Sequence, residues 1–133
     1  MPVKRVDCFF LEVEDKLGVL AEFARQLRDV KINLRGLWGY TNPKGKGKIG
    51  CVPQNSKKFI DGAKKLGLTT TRGVAFHISG TDRIGALCNI LDILDRAKIN
   101  INVFDAVGFS GRFGAYIWVG PKDVKAAAKA LKA

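Results

Sequence analysis

The strongest constraint on the fold is an internal repeat with a period of 67 residues. Shifting the sequence by that distance aligns identical residues at eight positions between residues 9 and 34, without a gap. The matched pairs are Phe9 with Phe76, Asp15 with Asp82, Gly18 with Gly85, Leu20 with Leu87, Leu27 with Leu94, and Lys31, Ile32 and Asn33 with Lys98, Ile99 and Asn100. Such self-similarity predicts two copies of one structural unit, residues 1–72 and residues 73–133.

Each copy shows strand-like and helix-like patterns in the same order. Runs of β-branched and aromatic residues predict strands, and apolar residues at spacings of three and four predict helices. The first helix is expected to bury Leu17, Leu20, Ala21, Ala24 and Leu27, and the second copy repeats this with Ile84, Leu87, Cys88, Leu91 and Leu94. The order is strand, helix, strand, strand, helix, with a possible last strand at residues 68–72 in the first copy.

That order predicts an α+β fold of two tandem ferredoxin-like (βαββαβ) repeats, each an antiparallel sheet with both helices on one face. The second copy ends at Ala133 with no residues left for a fourth strand. Its first strand, around Phe76, would therefore have a bare edge, and bare edges are usually paired or covered. We expect the other repeat, the amino-terminal segment or a second subunit to supply the cover.

Composition points to a globular chain without a disulfide framework or a metal site. A hydrophobic content of 47% over 133 residues is enough for one ordinary core or two small ones. The sequence has no apolar run of about 20 residues and no secretory signal, so we expect a cytoplasmic protein. Cys8, Cys51 and Cys88 form no CxxC pair, which indicates reduced thiols and no bound metal or cofactor.

The net charge of +11 favours anionic partners, but the basic residues are scattered. The densest group, Lys44, Lys46 and Lys48, alternates with glycines after Asn42-Pro43 and is typical of a flexible, solvated turn. A Walker phosphate loop requires Ser or Thr after the lysine at the start of a helix, whereas here Ile49 follows Lys48 on a predicted strand, residues 48–52. A dedicated phosphate site is therefore disfavoured.

Nothing in the sequence calls for catalysis. The single histidine, His77, lies within a predicted strand, and no serine or cysteine around it carries a nucleophile signature. Asp15 and Asp82 both occupy the position of a helix cap, which already explains their chemistry. We therefore predict that the protein is not an enzyme.

The repeated turn between strand and helix is the candidate site. With Asp15 as the cap, Lys16, Leu17 and Gly18 would begin the helix, and their backbone N–H groups would be free to bind an anion. A glycine at this point either leaves room for a ligand or permits close packing of the helix on the strand. Both explanations stay open for Gly18 and for Gly85.

The motifs Asp15-Lys16-Leu17-Gly18-Val19-Leu20 and Asp82-Arg83-Ile84-Gly85-Ala86-Leu87, each followed after the helix by Lys-Ile-Asn, resemble the ACT domain. This family comprises small regulatory modules attached to many enzymes of amino-acid metabolism. The resemblance implies a ferredoxin-like fold, side-by-side pairing into an eight-stranded sheet, and an amino-acid ligand held at the interface of the pair. It places the ligand against the residues of the two turns and the two strand starts, which are Asp15, Lys16, Leu17, Gly18, Val19, Asn33, Asp82, Arg83, Ile84, Gly85, Ala86 and Asn100. Proline, common in the family at the positions of Leu17 and Ile84, is replaced here.

The chemistry of an amino acid suits such a turn. Its carboxylate matches free helix N–H groups, and its ammonium group matches an Asp or Asn oxygen together with backbone carbonyls. We therefore predict a non-enzymatic regulatory protein, a homodimer or one half of a complex with an unidentified partner, that senses a small amino acid.

An RNA-binding or anion-binding protein is the alternative. The stretch 110–120, SGRFGAYIWVG, lies on the third strand of its copy, where RNA-recognition domains carry their Gly-aromatic signature. The match is flawed, because Ala115 takes the place of an aromatic on the face of Phe113, while Tyr116 and Trp118 point to the other face. This hypothesis requires the aromatic strand 113–118 to be exposed beside basic residues.

Overall fold

The computed structural model describes residues 2–133 as an α+β fold with four α-helices and antiparallel strands. The chain divides into two compact units. We call Asp7–Gly73 the first unit, and residues 2–6 together with Val74–Ala133 the second unit. The divisions fall within the first and fourth strands, so each of these strands contributes residues to both units.

The first unit contains three main strands, two helices and the start of a fourth strand. Its elements are β1 (Val3–Glu14, from Asp7 onward in this unit), α1 (Val19–Asp29), β2 (Leu34–Thr41), β3 (Lys46–Pro53), α2 (Ser56–Lys65) and the first residues of β4 (Thr71–Thr81). The strand order is β2-β3-β1, and both pairings are antiparallel. β2 is therefore the outer strand on that side of the unit.

Both helices of the first unit cover the same face of its sheet. Alternate side chains of β1 and β3 point toward α1 and α2, as strand geometry requires. The buried residues of this core are Phe9, Leu11, Phe23, Leu27, Ile32, Ile49, Cys51, Phe59 and Ala63. The rings of Phe9 and Phe59, 4.6 Å apart between centroids, join the sheet to α2.

The second unit repeats this order of elements. After β4 come α3 (Ala86–Arg96), β5 (Ile101–Phe109), β6 (Arg112–Val119), a short 3-10 helix (Pro121–Asp123) and α4 (Val124–Leu131), with strand order β4-β6-β5. Its core is built from β4, β6 and both helices, and includes Phe76, Ile78, Ile90, Leu94, Phe113, Ile117, Ala127 and Leu131. The amino-terminal segment, one of three covers expected for this copy, belongs to the unit and packs Val3 on the core.

The lysine-glycine segment forms the turn of the β2–β3 hairpin, as predicted. The Asn42 side-chain Oδ1 accepts hydrogen bonds from the backbone N–H groups of Lys44 and Lys46, both at 3.0 Å. Gly45 takes a left-handed conformation with φ of +76°, which completes the turn. Lys46 and Lys48 already lie on β3, which starts earlier than the sequence pattern indicated.

The predicted buried faces of α1 and α3 are largely wrong. In α1 the buried residues are Phe23 and Leu27, whereas Leu20, Ala21 and Ala24 are exposed and Leu17 lies before the helix. In α3 the buried residues are Ala86, Ile90 and Leu94, while Leu87 and Leu91 are half-buried and Ile84 and Cys88 are exposed. Each helix carries two apolar stripes, and periodicity alone does not tell which stripe faces the sheet.

No helix within residues 2–133 is both long enough and apolar enough to cross a membrane.

Candidate ligand-binding turns

Each turn enters its helix through a left-handed glycine. Gly18 has φ of +84° and Gly85 has φ of +78°, and the helices start at the following residues, Val19 and Ala86. The prediction that Asp15 and Asp82 cap the helices is therefore wrong. Each aspartate lies three residues before its cap, beyond reach of the N2 and N3 amides that a capping side chain bonds.

The backbone conformation explains why both positions are glycine. L-residues with a side chain rarely adopt a positive φ, because Cβ then approaches the following carbonyl oxygen. A Cβ atom built on Gly18 or Gly85 meets no other atom within 4 Å. The explanation by close packing of helix on strand is therefore wrong, and the space beside both glycines is open.

The two turns expose the same pattern of groups. Leu17 and Ile84, directly before the glycines, are fully exposed although both are large and apolar. Among the described residues, the earliest helical bond of α1 runs from the Glu22 N–H to the Gly18 carbonyl at 2.9 Å. The preceding N–H groups of a helix have no partner inside it, so the turn presents donors beside an apolar side chain.

In the second turn, more of the backbone N–H groups already donate hydrogen bonds within the protein. The N–H of Ala86 donates to the Arg83 carbonyl at 3.1 Å, and that of Cys88 donates to the Gly85 carbonyl at 3.0 Å. The Asp82 N–H donates to the Gly111 carbonyl at 2.9 Å, which ties this turn to the β5–β6 hairpin. In the first turn the Lys16 N–H, predicted to be free, donates to the Glu14 carbonyl at 3.1 Å. More backbone donors are still engaged at Gly85 than at Gly18, so fewer are left there for a ligand.

The first turn forms one wall of a cavity of about 200 Å³. Three segments line it: residues 13–16 with Val19 and Leu20, the end of β2 at residues 39–41, and residues 47–49 of β3. Two further hollows, of about 390 and 550 Å³, adjoin the same turn and include Leu17 and Gly18. All five predicted residues of the first turn thus border a cavity, and the 200 Å³ volume is below the roughly 300–1,000 Å³ of sites for drug-sized molecules.

Charged groups of both signs surround this cavity. The Lys46 ammonium donates to the Glu14 carboxylate at 2.9 Å, which lowers the pKa of Glu14 and raises the pKa of Lys46. Asp15 and Lys16, both exposed, form no ion pair with any other described residue. The wall therefore offers the Asp15 carboxylate and the Lys16 ammonium group, neither of which is held in an ion pair with a described residue.

The two asparagines lie away from the turns of their own units. The Asn33 side chain donates to the Gln54 side-chain oxygen at 3.2 Å, and its carbonyl accepts from the Gln54 N–H at 2.9 Å. Asn33 borders a different cavity, past the carboxyl end of α1, which shares no lining residue with the cavities of the turn. Asn100 occupies the matching position before β5 and is exposed.

Strand residues that no sequence motif indicates complete the first cavity. Gly39, Tyr40 and Thr41 of β2 line it, although the sequence pattern predicts them only as part of a strand. Their approach to Asp15 follows from the antiparallel register of β1 with β3, which pairs Glu14 with Lys46. These strands are not neighbours in the sequence, so no local pattern reports the register.

The aromatic strand does not form an exposed stacking platform. Phe113 and Ile117 of β6 belong to the second core, and Trp118 is 6% exposed. Tyr116 is half-buried, with its ring 5.0 Å from His77 and 6.0 Å from Trp118. Within residues 2–133 no three His, Cys, Asp or Glu side chains are grouped to hold a metal ion.

Comparison with solved structures identifies the fold. The structure of protein BT0572 from Bacteroides thetaiotaomicron matches 98% of this chain and 88% of its own, with a TM-score of 0.84 and 20% identity. The ligand-free regulatory subunit of aspartate kinase from Thermus thermophilus matches 98% of this chain and 93% of its own, with a TM-score of 0.66 and 10% identity. This chain has the ACT-domain fold. The regulatory subunit from Thermus flavus agrees, with a TM-score of 0.64, 11% identity and coverage of 98% and 94%.

Comparisons of the sequence with known families and proteins find no match. No protein-family model matches the chain, and no curated protein sequence matches it. Some of the similar structures are regulatory subunits of aspartate kinase, and others are aspartate kinases. The segments Asp15–Val19 and Asp82–Ala86 are the turns that follow β1 and β4, the first long strand of each unit.

Proposed function

We propose that this chain is a non-enzymatic regulatory protein that binds a small amino acid, or a related carboxylate, at its ACT-type turns. It consists of two ferredoxin-like repeats, residues 1–72 and 73–133, and passes occupancy on through a protein partner or through self-association as a homodimer. The likeness to aspartate kinase regulatory subunits supports the regulatory role. The observation that carries the proposal is the repeated left-handed glycine, which opens the helix start in both turns beside an exposed apolar side chain.

The chemistry of the first turn fits an α-amino acid. The N–H groups at the start of α1 attract a carboxylate, and the Asp15 carboxylate attracts an ammonium group. Tyr40 and Thr41 add hydroxyl groups on the opposite wall of the cavity. Leu17 and Val19 supply apolar surface for a short side chain, so the first turn is the principal site.

The second turn contributes Asp82, Arg83, Ile84, Gly85 and Ala86, and the strand starts contribute Asn33 and Asn100. Because two donors of the second turn are already bonded within the turn, its affinity is expected to be lower.

Exchange of one residue between the repeats tests the site without straining the fold. Gly39 lines the first cavity. Its counterpart in the second unit is Ala106, which has the equivalent position in the pairing of β5 with β6 that Gly39 has in the pairing of β2 with β3. A Cβ on Gly39 would lie 3.8 Å from the Lys48 carbonyl oxygen and 3.9 Å from a Leu20 methyl group, which are ordinary contacts. Gly39→Ala therefore narrows the cavity by a methyl group, and Ala106→Gly is the matched control.

A thermal-shift screen of the twenty amino acids and a short single-stranded RNA provides the readout. A ligand at about 100 times its Kd stabilises the folded state by roughly 2.7 kcal/mol, a shift that is readily measured. We expect one amino acid to raise the Tm of the wild-type protein, with a smaller rise in Gly39→Ala and an unchanged rise in Ala106→Gly. No shift with any amino acid, or a shift with RNA alone that Trp118→Ala abolishes, would refute the proposal.

A further inference from the structure

A second cavity of the first unit has a different character from the ACT-type turn. It measures about 580 Å³ and lies between the carboxyl end of α1 and the beginning of β2. Arg28, Lys31 and Arg35 supply its charges, and Leu34 and Leu37 are part of its apolar surface. No acidic residue lines this hollow, which we call the basic groove.

The basic groove runs along an open sheet edge. β2 is the outer strand in the order β2-β3-β1, so its second edge presents backbone N–H and C=O groups. Leu37, on this strand, is 41% exposed. The register of β2 with β3 shifts between Leu34 and Gly36, which makes Arg35 the extra residue of a β-bulge. Bulges at sheet edges re-aim a side chain, and this one carries Arg35, one of the two arginines of the groove.

The second unit shows that the fold does not require these charges. Its chain has the same register shift, between Ile101 and Val103, with Asn102 at the position of Arg35. Asp95 stands at the position of Arg28, and Lys98 at that of Lys31. The three groove positions therefore carry three positive charges in the first unit and no net charge in the second.

Helix electrostatics alone do not explain the difference. Basic residues near a helix carboxyl end are favourable, and Arg28 also forms an exposed ion pair with Asp29 at 3.1 Å. The α3 helix, however, has Asp95 at the position of Arg28 and carries its basic residue at Arg96, the position of Asp29, and Arg35 lies beyond α1 altogether. The basic residue at the bulge, Arg35, therefore has no charged counterpart in the second unit, where Asn102 stands.

We propose that the basic groove binds an extended acidic segment of a partner protein. The segment adds a strand to the open edge of β2, its backbone bonding that edge, while acidic side chains meet Arg28, Lys31 and Arg35 and apolar ones meet Leu34 and Leu37. The cationic side chains of the groove favour acidic side chains in the bound segment. The open edge of β2 favours a segment with an extended backbone. The groove shares no residue with the cavity of the turn, so the proposal stands or falls independently of amino-acid binding.

The test uses a fluorescently labelled peptide of alternating glutamate and valine, about eight residues long, within the usual range of a strand. Fluorescence anisotropy measures its binding to the full chain. The groove variant combines Arg28→Asp with Arg35→Asn, both residues taken from the same positions of the second unit. A control with the same change of charge combines Lys64→Asp and Lys65→Asn, two exposed residues in the last turn of α2. Circular dichroism confirms that both variants are folded.

We expect the peptide to bind the wild-type chain and the control, and to bind the groove variant about tenfold more weakly or worse. A peptide with lysine in place of glutamate should not bind, and one with proline in place of the central valines should bind weakly, since proline blocks strand pairing. Equal loss in both variants would show mere attraction between net charges and overturn the proposal.

Three other results would also overturn it: no binding of the glutamate peptide, tighter binding of a single-stranded oligonucleotide that depends on the same arginines, or self-association that the groove variant abolishes. The last would identify a second copy of this chain as the occupant.

Discussion

The Lys46 ammonium group donates a hydrogen bond to the Glu14 carboxylate at 2.9 Å, joining the last residue of β1 to the first residue of β3. Glu14 directly precedes the turn at Asp15 and lines the same cavity. This exposed ion pair therefore links the β2–β3 hairpin to the strand end from which the turn departs.

Replacing Lys46 with Met should return the pKa of Glu14 toward its ordinary value. The hydrogen bond and charge of Lys46 lower that pKa, so the contribution of Glu14 to stability is present above its unfolded pKa and is lost as pH falls through the folded pKa. Glu14 in turn raises the pKa of Lys46. The contribution of Lys46 to stability is therefore present below the pKa of lysine in the unfolded chain and is lost as pH rises through its pKa in the folded protein. Carboxyl NMR titration of Glu14 measures the change.

Lys44→Met is the control for this titration, because Lys44 lies in the same hairpin and engages Asn42 only through its backbone. An unchanged pKa of Glu14 in Lys46→Met would contradict the ion pair. The difference between wild type and Lys46→Met should shrink at high salt, since salt screens exposed charges.

Gly18→Ala should lower the free energy of unfolding by about 1–2 kcal/mol, the cost of a left-handed conformation in a residue with a Cβ. Gly18→Asn should cost less, because asparagine tolerates this conformation better. Since a Cβ at Gly18 meets nothing within 4 Å, the loss comes from the backbone and not from a clash. Denaturant unfolding of both variants measures the two values, and equal losses for Ala and Asn would argue against the left-handed turn.

Only one of the three thiols should react in the native protein. Cys88 is exposed, whereas Cys8 and Cys51 are buried, and burial raises the pKa of the Cys51 thiol to about 12. The thiolate is the reactive form, so Cys51 stays unreactive at pH 8. Dithiodipyridine should report one fast thiol per chain, and denaturant should release the other two. Cys88→Ser should abolish the fast reaction, and its persistence in that variant would contradict the buried positions.

Gly50→Ala should destabilise the protein by about 1–3 kcal/mol, the usual cost of overpacking. A Cβ at this position would lie 3.0 Å from the Phe10 ring and closer still to the Trp38 indole. Gly114→Ala on β6 is the matched control, because the nearest atom to its Cβ would be the His77 Nε2 at 3.9 Å. Thermal unfolding with tryptophan fluorescence measures both. Equal effects would mean that the indole does not lie across Gly50.

The order of strands and helices was predictable because short-range patterns determine it. β-branched and aromatic runs marked the strands, and the repeat at 67 residues allowed each copy to support the interpretation of the other. The helix starts were not predictable in this way. An aspartate followed by an apolar pattern is typical of a cap, and the left-handed conformation of Gly18 moves the start to Val19.

The candidate site was predictable only in part for a similar reason. The residues of each turn are contiguous, so a motif reports them, and in the first unit they do border cavities. The opposite wall, with Gly39, Tyr40 and Thr41, depends on the pairing of strands far apart in sequence. The exposed stripe of α1 was mistaken for its buried face, because Leu20 and Ala24 have the same spacing as core residues.

The placement of Val3 on the core of the second unit has a consequence for synthesis on the ribosome. Residues 2–6 are synthesised before the first unit, yet the unit that they complete also requires α4, which ends at Leu131. The first unit, Asp7–Gly73, is contiguous and can form while translation continues. Residues 2–6 therefore meet their packing partners only after the first unit and most of the second have been synthesised.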